Sequence, residues 1–176
     1  MSNSRIDSSA AGENFLKDEK YIPASLETFG VFQSVLKNGV RLSADYIGLP
    51  VEGPSVMSLE RSVYLSGSFK GVFVIRAHRK FAPLLLEKSV AQAVVPSSGE
   101  EAFDQLVERF CAETVKAFWA PESFRPFLIQ PCNPRFWPKR MPDSACALLV
   151  ERYPMEIRFW MERGLFSEDA FRTEEK

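Results

Sequence analysis

The order of elements along this chain predicts an α+β fold, an antiparallel sheet packed against two or three helices. Three observations carry that reading. Apolar residues recur with helical spacing in two well-separated segments, 23–37 and 99–120. Short β-rich runs at 58–78 and 144–162 pair off around turn residues, as antiparallel hairpins do. Strands and helices do not alternate strictly, which excludes a doubly wound parallel sheet.

The first helix is expected from Pro23 to Lys37, with Leu26, Phe29, Val31, Phe32, Val35 and Leu36 as its apolar positions and Asn38-Gly39 as its stop. A short strand fits near Leu42 to Ile47, before a stretch rich in Gly and Pro from Tyr46 to Pro54. Ser58 to Leu65 and Lys70 to His78 read as two strands joined by the turn Ser66-Gly67-Ser68-Phe69. A second helix should run from about Lys80 to Val90, carrying Leu84, Leu85 and Leu86, and Pro96-Ser97-Ser98-Gly99 breaks the structure after it. The longest helix follows, from about Gly99 to Ala120. A proline-rich stretch from Pro121 to Pro142 holds a short strand near Phe127 to Gln130. Ser144 to Arg152 and Met155 to Glu162 close the fold as two strands joined at Tyr153-Pro154. In the last of them Glu156, Arg158 and Trp160 face one way and Ile157, Phe159 and Met161 the other.

At 176 residues, the chain suits one domain with a core of its own. Residues 1–20, rich in Ser, Ala and charge and without periodicity, read as a flexible tail; 21–166 form the α+β domain and 167–176 an acidic end. A net charge of −1 argues against nucleic acid, whose phosphates call for a basic face, and the densest basic cluster is only Arg76, Arg79 and Lys80. No stretch reaches the roughly 18 apolar residues of a membrane span. Cys111, Cys132 and Cys146 match no zinc or redox spacing, and with no secretory pattern ahead of them they suggest a reducing, cytoplasmic setting. A single histidine, His78, excludes a multi-histidine metal site.

On a wheel of roughly 100° per residue, Phe103, Leu106, Val107, Phe110, Thr114, Ala117 and Phe118 form the buried stripe of the long helix. Asp104, Glu108, Cys111 and Val115 lie along one edge of it, while Gln105, Arg109, Ala112, Glu113 and Lys116 occupy the far side. Residues one turn apart are stacked along a helix. A carboxylate and a hydrogen-bonding neighbour so placed can hold one water molecule for in-line attack on a phosphoryl group, a reaction in which positioning supplies most of the catalysis. The same residues also read as an ordinary helix: a dipole-compensating Asp104, a solvated Glu108 and a small core Cys111.

The row resembles the signature of the CheC/CheX/FliY family of bacterial chemotaxis phosphatases. That signature is Asp or Ser, three residues, Glu, two residues, Asn, twenty-two residues, Pro. Here Asp104, Glu108, Cys111 and Pro134 stand at those spacings, with Cys111 in place of the Asn. The hairpin Val63 to Val74 is similar to the family's strand-turn-strand before its second helix. The resemblance implies a CheX-like domain that docks a phosphorylated response regulator of the CheY type and hydrolyses its aspartyl phosphate. Glu108 and the residue at 111 would orient the water, and Asp104 and Gln105 would contact the partner. The regulator would supply Mg²⁺, and the domain would carry no cofactor of its own. A catalytically degenerate binding module of the same fold is the alternative, because a thiol holds water poorly where an amide holds it well. The family also implies a homodimer through sheets, for which the final strand with Phe159 and Trp160 offers an edge contact.

Overall fold

The computed structural model describes residues 21–50, 57–67, 70–119, 128–132 and 141–161. Among them the chain forms α1 (Ser25–Val40), β1 (Ala44–Gly48), β2 (Leu59–Ser66), β3 (Lys70–Ala77), α2 (Phe81–Lys88) with a 3₁₀ turn (Ser89–Ala91), α3 (Gly99–Phe118), β4 (Leu128–Cys132), β5 (Ser144–Val150) and β6 (Tyr153–Met161). The six strands form one sheet in the order β1-β5-β6-β3-β2-β4, antiparallel at every pairing. The α+β architecture read from the sequence is therefore the one observed. Pro134, the proposed turn residues 68 and 69, the tail 1–20 and the acidic end 167–176 lie outside the described residues.

α1 does not stop at Asn38-Gly39. It runs on to Val40, which is buried, and ends where Arg41 adopts a left-handed conformation (φ 56°) with its N–H donating to the Leu36 carbonyl. Gln92 donates to the Gly39 carbonyl at 2.9 Å, so a distant side chain satisfies an end group that local sequence left open. The last hairpin also turns earlier than expected. Tyr153 and Pro154 already pair with Val150 and Leu149, and the turn falls on Glu151-Arg152, with Glu151 left-handed at φ 58°. β6 is paired on both sides, by β5 and β3, so it is not an edge strand. Trp160 is buried on the sheet face opposite the helices, against Val72 and Val74, and the expected edge contact through Phe159 and Trp160 is ruled out by their place inside the sheet.

All three helices cover one face of the sheet, the one carrying Val63, Leu65, Phe73, Ile75, Ile157 and Phe159. On the other face Glu156 is buried between Arg76, at 2.9 Å, and Arg158, at 3.3 Å, and Glu60 joins Arg76 at 3.1 Å. Phe110 of α3 stands at the centre of the helical layer. Its ring lies 5.3 Å from Phe32 of α1 and 5.3 Å from Phe73 of β3, edge-on to both. In α2 only Leu85 of the three consecutive leucines is fully buried, because Phe81 and Ala82 complete its packed face.

α3 begins where the sequence breaks. Ser98 Oγ accepts the Glu101 N–H at 3.1 Å, and the Glu101 carboxylate accepts the Ser97 N–H at 2.6 Å. The Ser97 hydroxyl also donates to that carboxylate, and the hydroxyl and N–H of Ser97 together hold the Glu101 carboxyl below the usual carboxylate range. Gly99 at the first turn lies against α2, where an added Cβ would fall 2.7 Å from the Ala82 backbone. Gly99→Ala should therefore destabilise by about 1–3 kcal/mol through overpacking, outweighing the roughly 0.5–1 kcal/mol that alanine gains in a helix. Urea unfolding of the variant measures the sign directly, and a stabilised protein would contradict this packing.

Candidate functional site

The candidate row lies on the flank of α3 that faces β2 and the outermost strand β4. Asp104 and Glu108 are exposed and Gln105 is half-buried. Cys111 is not part of that solvent-facing row: it is fully buried, as is most of Val115. The wheel places Cys111 about 60° from Glu108, and the packing of this flank toward β4 and β2 takes the intervening angle out of solvent. Ala117, read as core, is exposed, so the buried arc of α3 is shifted toward β4 relative to the sequence reading.

Glu108 borders a cleft of about 350 Å³ whose other walls are Val63 of β2, Ala112 of α3, and Ile129 and Pro131 of β4. The cleft is mostly apolar with one carboxylate at its rim. The residue one turn beyond Glu108 on this surface is Ala112, which offers no hydrogen-bonding side chain, and Gln105 does not line the cleft. Sequence reasoning placed Ala112 on the far side of the helix and did not identify the β4 wall, because β4 joins β2 from more than sixty residues along the chain.

Asp104 is engaged within the protein. Arg61 of β2 donates to its carboxylate and also reaches Glu100 at 3.6 Å, while its guanidinium carbon lies 6.0 Å from the Phe103 ring centre. The pair is partly exposed, so it contributes no more than about 1 kcal/mol. Its effect is geometric: it ties the first turns of α3 to β2 and sets the position of the cleft that follows.

Burial pushes the Cys111 thiol well above its ordinary range, with Glu108 and then Cys132 raising it further. Cys132, half-exposed on β4, is raised to about 11 by burial, and Cys146 likewise to about 11, partly offset by a hydrogen bond from Ser25. None of the three is poised as a nucleophile, which requires a thiolate near neutral pH. Among the described residues no cluster of three or more His, Cys, Asp and Glu could hold a metal ion, and no helix is long and apolar enough to cross a membrane.

No protein-family model and no curated protein sequence matches this chain. Solved structures do. The chain is similar in fold to CheX. The chemotaxis protein CheX from Vibrio vulnificus shares 11% identity, a TM-score of 0.49, and coverage of 77% of this chain and 93% of that one. CheX from Desulfovibrio desulfuricans gives 9%, 0.47, 77% and 96%. The CheX-CheY-BeF₃-Mg²⁺ complex from Borrelia burgdorferi gives 18%, 0.47, 79% and 98%. The likeness is one of fold, and the chemistry of the α3 flank rests on this chain's own residues.

Thiol reagents check the burial pattern. At pH 8 the native protein should react slowly, Cys132 first, with Cys111 and Cys146 modified only on unfolding. Mass mapping that found Cys111 labelled before Cys132 would overturn the placement of Cys111 in the core.

Proposed function

We propose that the α3 flank docks a phosphorylated response-regulator receiver domain of the CheY type, with Glu108 entering its aspartyl-phosphate site, and that any hydrolysis it promotes is slow. The observation that carries this reading is Glu108, held exposed at the rim of an open cleft by a helix whose apolar face is buried. A single carboxylate accepts one hydrogen bond from an attacking water and aligns it only partly. A second group one turn away would complete the alignment, and Ala112 and the buried Cys111 supply none. The apolar walls would receive a partner's side chain, and the regulator brings the Mg²⁺ that neutralises the phosphoryl charge. The same reading places the protein in the cytoplasm with its partner.

The burial of Cys111 favours a second reading, a docking module that binds the activated regulator without dephosphorylating it. Two measurements on the full chain separate the readings. The first is the decay of receiver-domain aspartyl phosphate with and without the protein. The second is its binding to a beryllofluoride-activated receiver. Under the first reading Glu108→Ala reduces the added decay rate by at least about 10-fold and leaves stability unchanged. Under the second, binding occurs with unchanged decay, and Glu108→Arg weakens it. Absence of binding to every phosphorylated receiver tested would sink both.

Cys111→Asn tests whether the amide alone is missing. With position 111 inside the core, the substitution should lower stability by about 1–3 kcal/mol and restore no hydrolysis. Faster decay in a folded Cys111→Asn variant would mean that this side chain reaches the cleft.

A further inference from the structure

Asp104, Gln105, Cys111 and Ala112 are the residues of α3 that stand one turn from Glu108. Three of them are placed where they cannot act with it in the cleft. Asp104 is held by Arg61. Gln105 does not line the Glu108 cleft. Cys111 is fully buried in the core cluster that holds Phe103, Val107 and Phe110. Ala112 is the fourth, and it is half-buried and lines the cleft. Among the described residues, Glu108 and Ala112 are the two through which α3 borders this space.

The opposite walls add no substitute. Val63, Ile129 and Pro131 carry hydrocarbon side chains, and a proline has no N–H. Among the described residues, Glu108 is thus the one member of the lining whose side chain forms hydrogen bonds. An ionised carboxylate accepts from a water and donates nothing to it, whereas an amide does both. Cβ atoms four residues apart on a helix stand about 5–6 Å from each other. Hydrogen bonds of about 2.7–3.2 Å from a carboxylate at 108 and an amide at 112 can therefore meet on one water. The spacing of the motif puts that second group at 111, three residues after Glu108. The rotation of α3 turns 111 into the core and leaves the cleft-facing place to 112.

We propose that Ala112 is the specificity-determining residue of this flank: it leaves the place beside Glu108 without a hydrogen-bonding group, so that the flank binds a phosphorylated receiver and holds back its hydrolysis. This inference rests on the receiver-docking reading. The step withheld is in-line attack of a water on the aspartyl phosphate. The water oxygen forms the new P–O bond, and the bond from phosphorus to the aspartyl oxygen breaks with its electron pair leaving on the carboxylate. Both water hydrogens end on the released phosphate. Glu108 and an amide at 112 would fix the direction of that attack, which is where positioning acts in this reaction.

The test is the decay of a phosphorylated receiver mixed with increasing amounts of the full chain, as wild type and as Ala112→Asn. Binding of each protein to the beryllofluoride-activated receiver is measured in parallel. Ala112→Asn should raise the decay rate at saturation by at least about 10-fold while the half-saturating concentration changes by less than about 3-fold. The gain should vanish in Glu108→Ala/Ala112→Asn. Ala112→Gln carries the same amide on a better helix former and is the variant to use if Ala112→Asn does not fold. A variant that binds like the wild type and speeds decay no further overturns the role of position 112 and leaves the docking reading intact. So does an acceleration that survives the loss of Glu108. Failure of the wild type itself to bind any activated receiver overturns the docking reading, and this inference with it.

Discussion

Phe110 is the residue through which the layers of this protein meet. It comes from α3, touches Phe32 of α1 and Phe73 of β3 edge-on, and is itself fully inaccessible. Phe73 in turn lies 4.7 Å from Phe159 of the neighbouring strand, and Trp119 just past the end of α3 packs 5.3 Å from Phe159. One aromatic chain thus runs from the outer helix through the central helix and across two strands. Removing a buried phenylalanine of this kind typically costs about 3–5 kcal/mol, a large fraction of the stability of a domain this size. The rotation of α3 about its axis is set by these contacts, and that rotation decides which residues α3 shows to solvent.

That rotation brings the two roles of α3 into competition. Its buried arc is wide because the helix packs on α1, α2, β2 and β4 at once. Cys111 falls inside the arc and Glu108 just outside it. The same strand, β4, which helps close off Cys111, builds the far wall of the cleft beside Glu108. A polar residue at 111 would have had to be accommodated within the core, whereas a cysteine, which behaves as a small apolar residue, fits without a hydrogen-bond partner. The packing of this flank is therefore consistent with a surface that presents one carboxylate rather than a pair of water-holding groups.

Charged groups pair both beside α3 and on the other face of the sheet. Arg61 anchors Asp104 and reaches Glu100, which leaves Glu108 as the member of the row that borders the cleft. Across the sheet, Glu60, Arg76, Glu156 and Arg158 alternate in sign along three adjacent strands. Glu156 is the buried member, so removing an arginine beside it would leave a buried charge uncompensated, which is costly.

The period of the hydrophobic pattern was enough to determine the three helices, both hairpins, the inward and outward faces of the last strand and the α+β class, since burial of a helix stripe or a strand face is a local property of spacing. Helix and hairpin ends were less legible: Arg41 and Glu151 take left-handed conformations that no glycine announces, and Gln92 closes α1 from fifty-three residues away. Sequence spacing also put Asp104, Glu108 and Cys111 in one row, and as an arrangement along a helix that was sound. Which of them meets water is not a property of the helix. It depends on β4 joining the outer edge of β2, on Arg61 reaching across from the sheet to Asp104, and on the turn of α3 imposed by Phe110. Those contacts join residues far apart in the chain, so only the tertiary structure separated an exposed Glu108 from a buried Cys111.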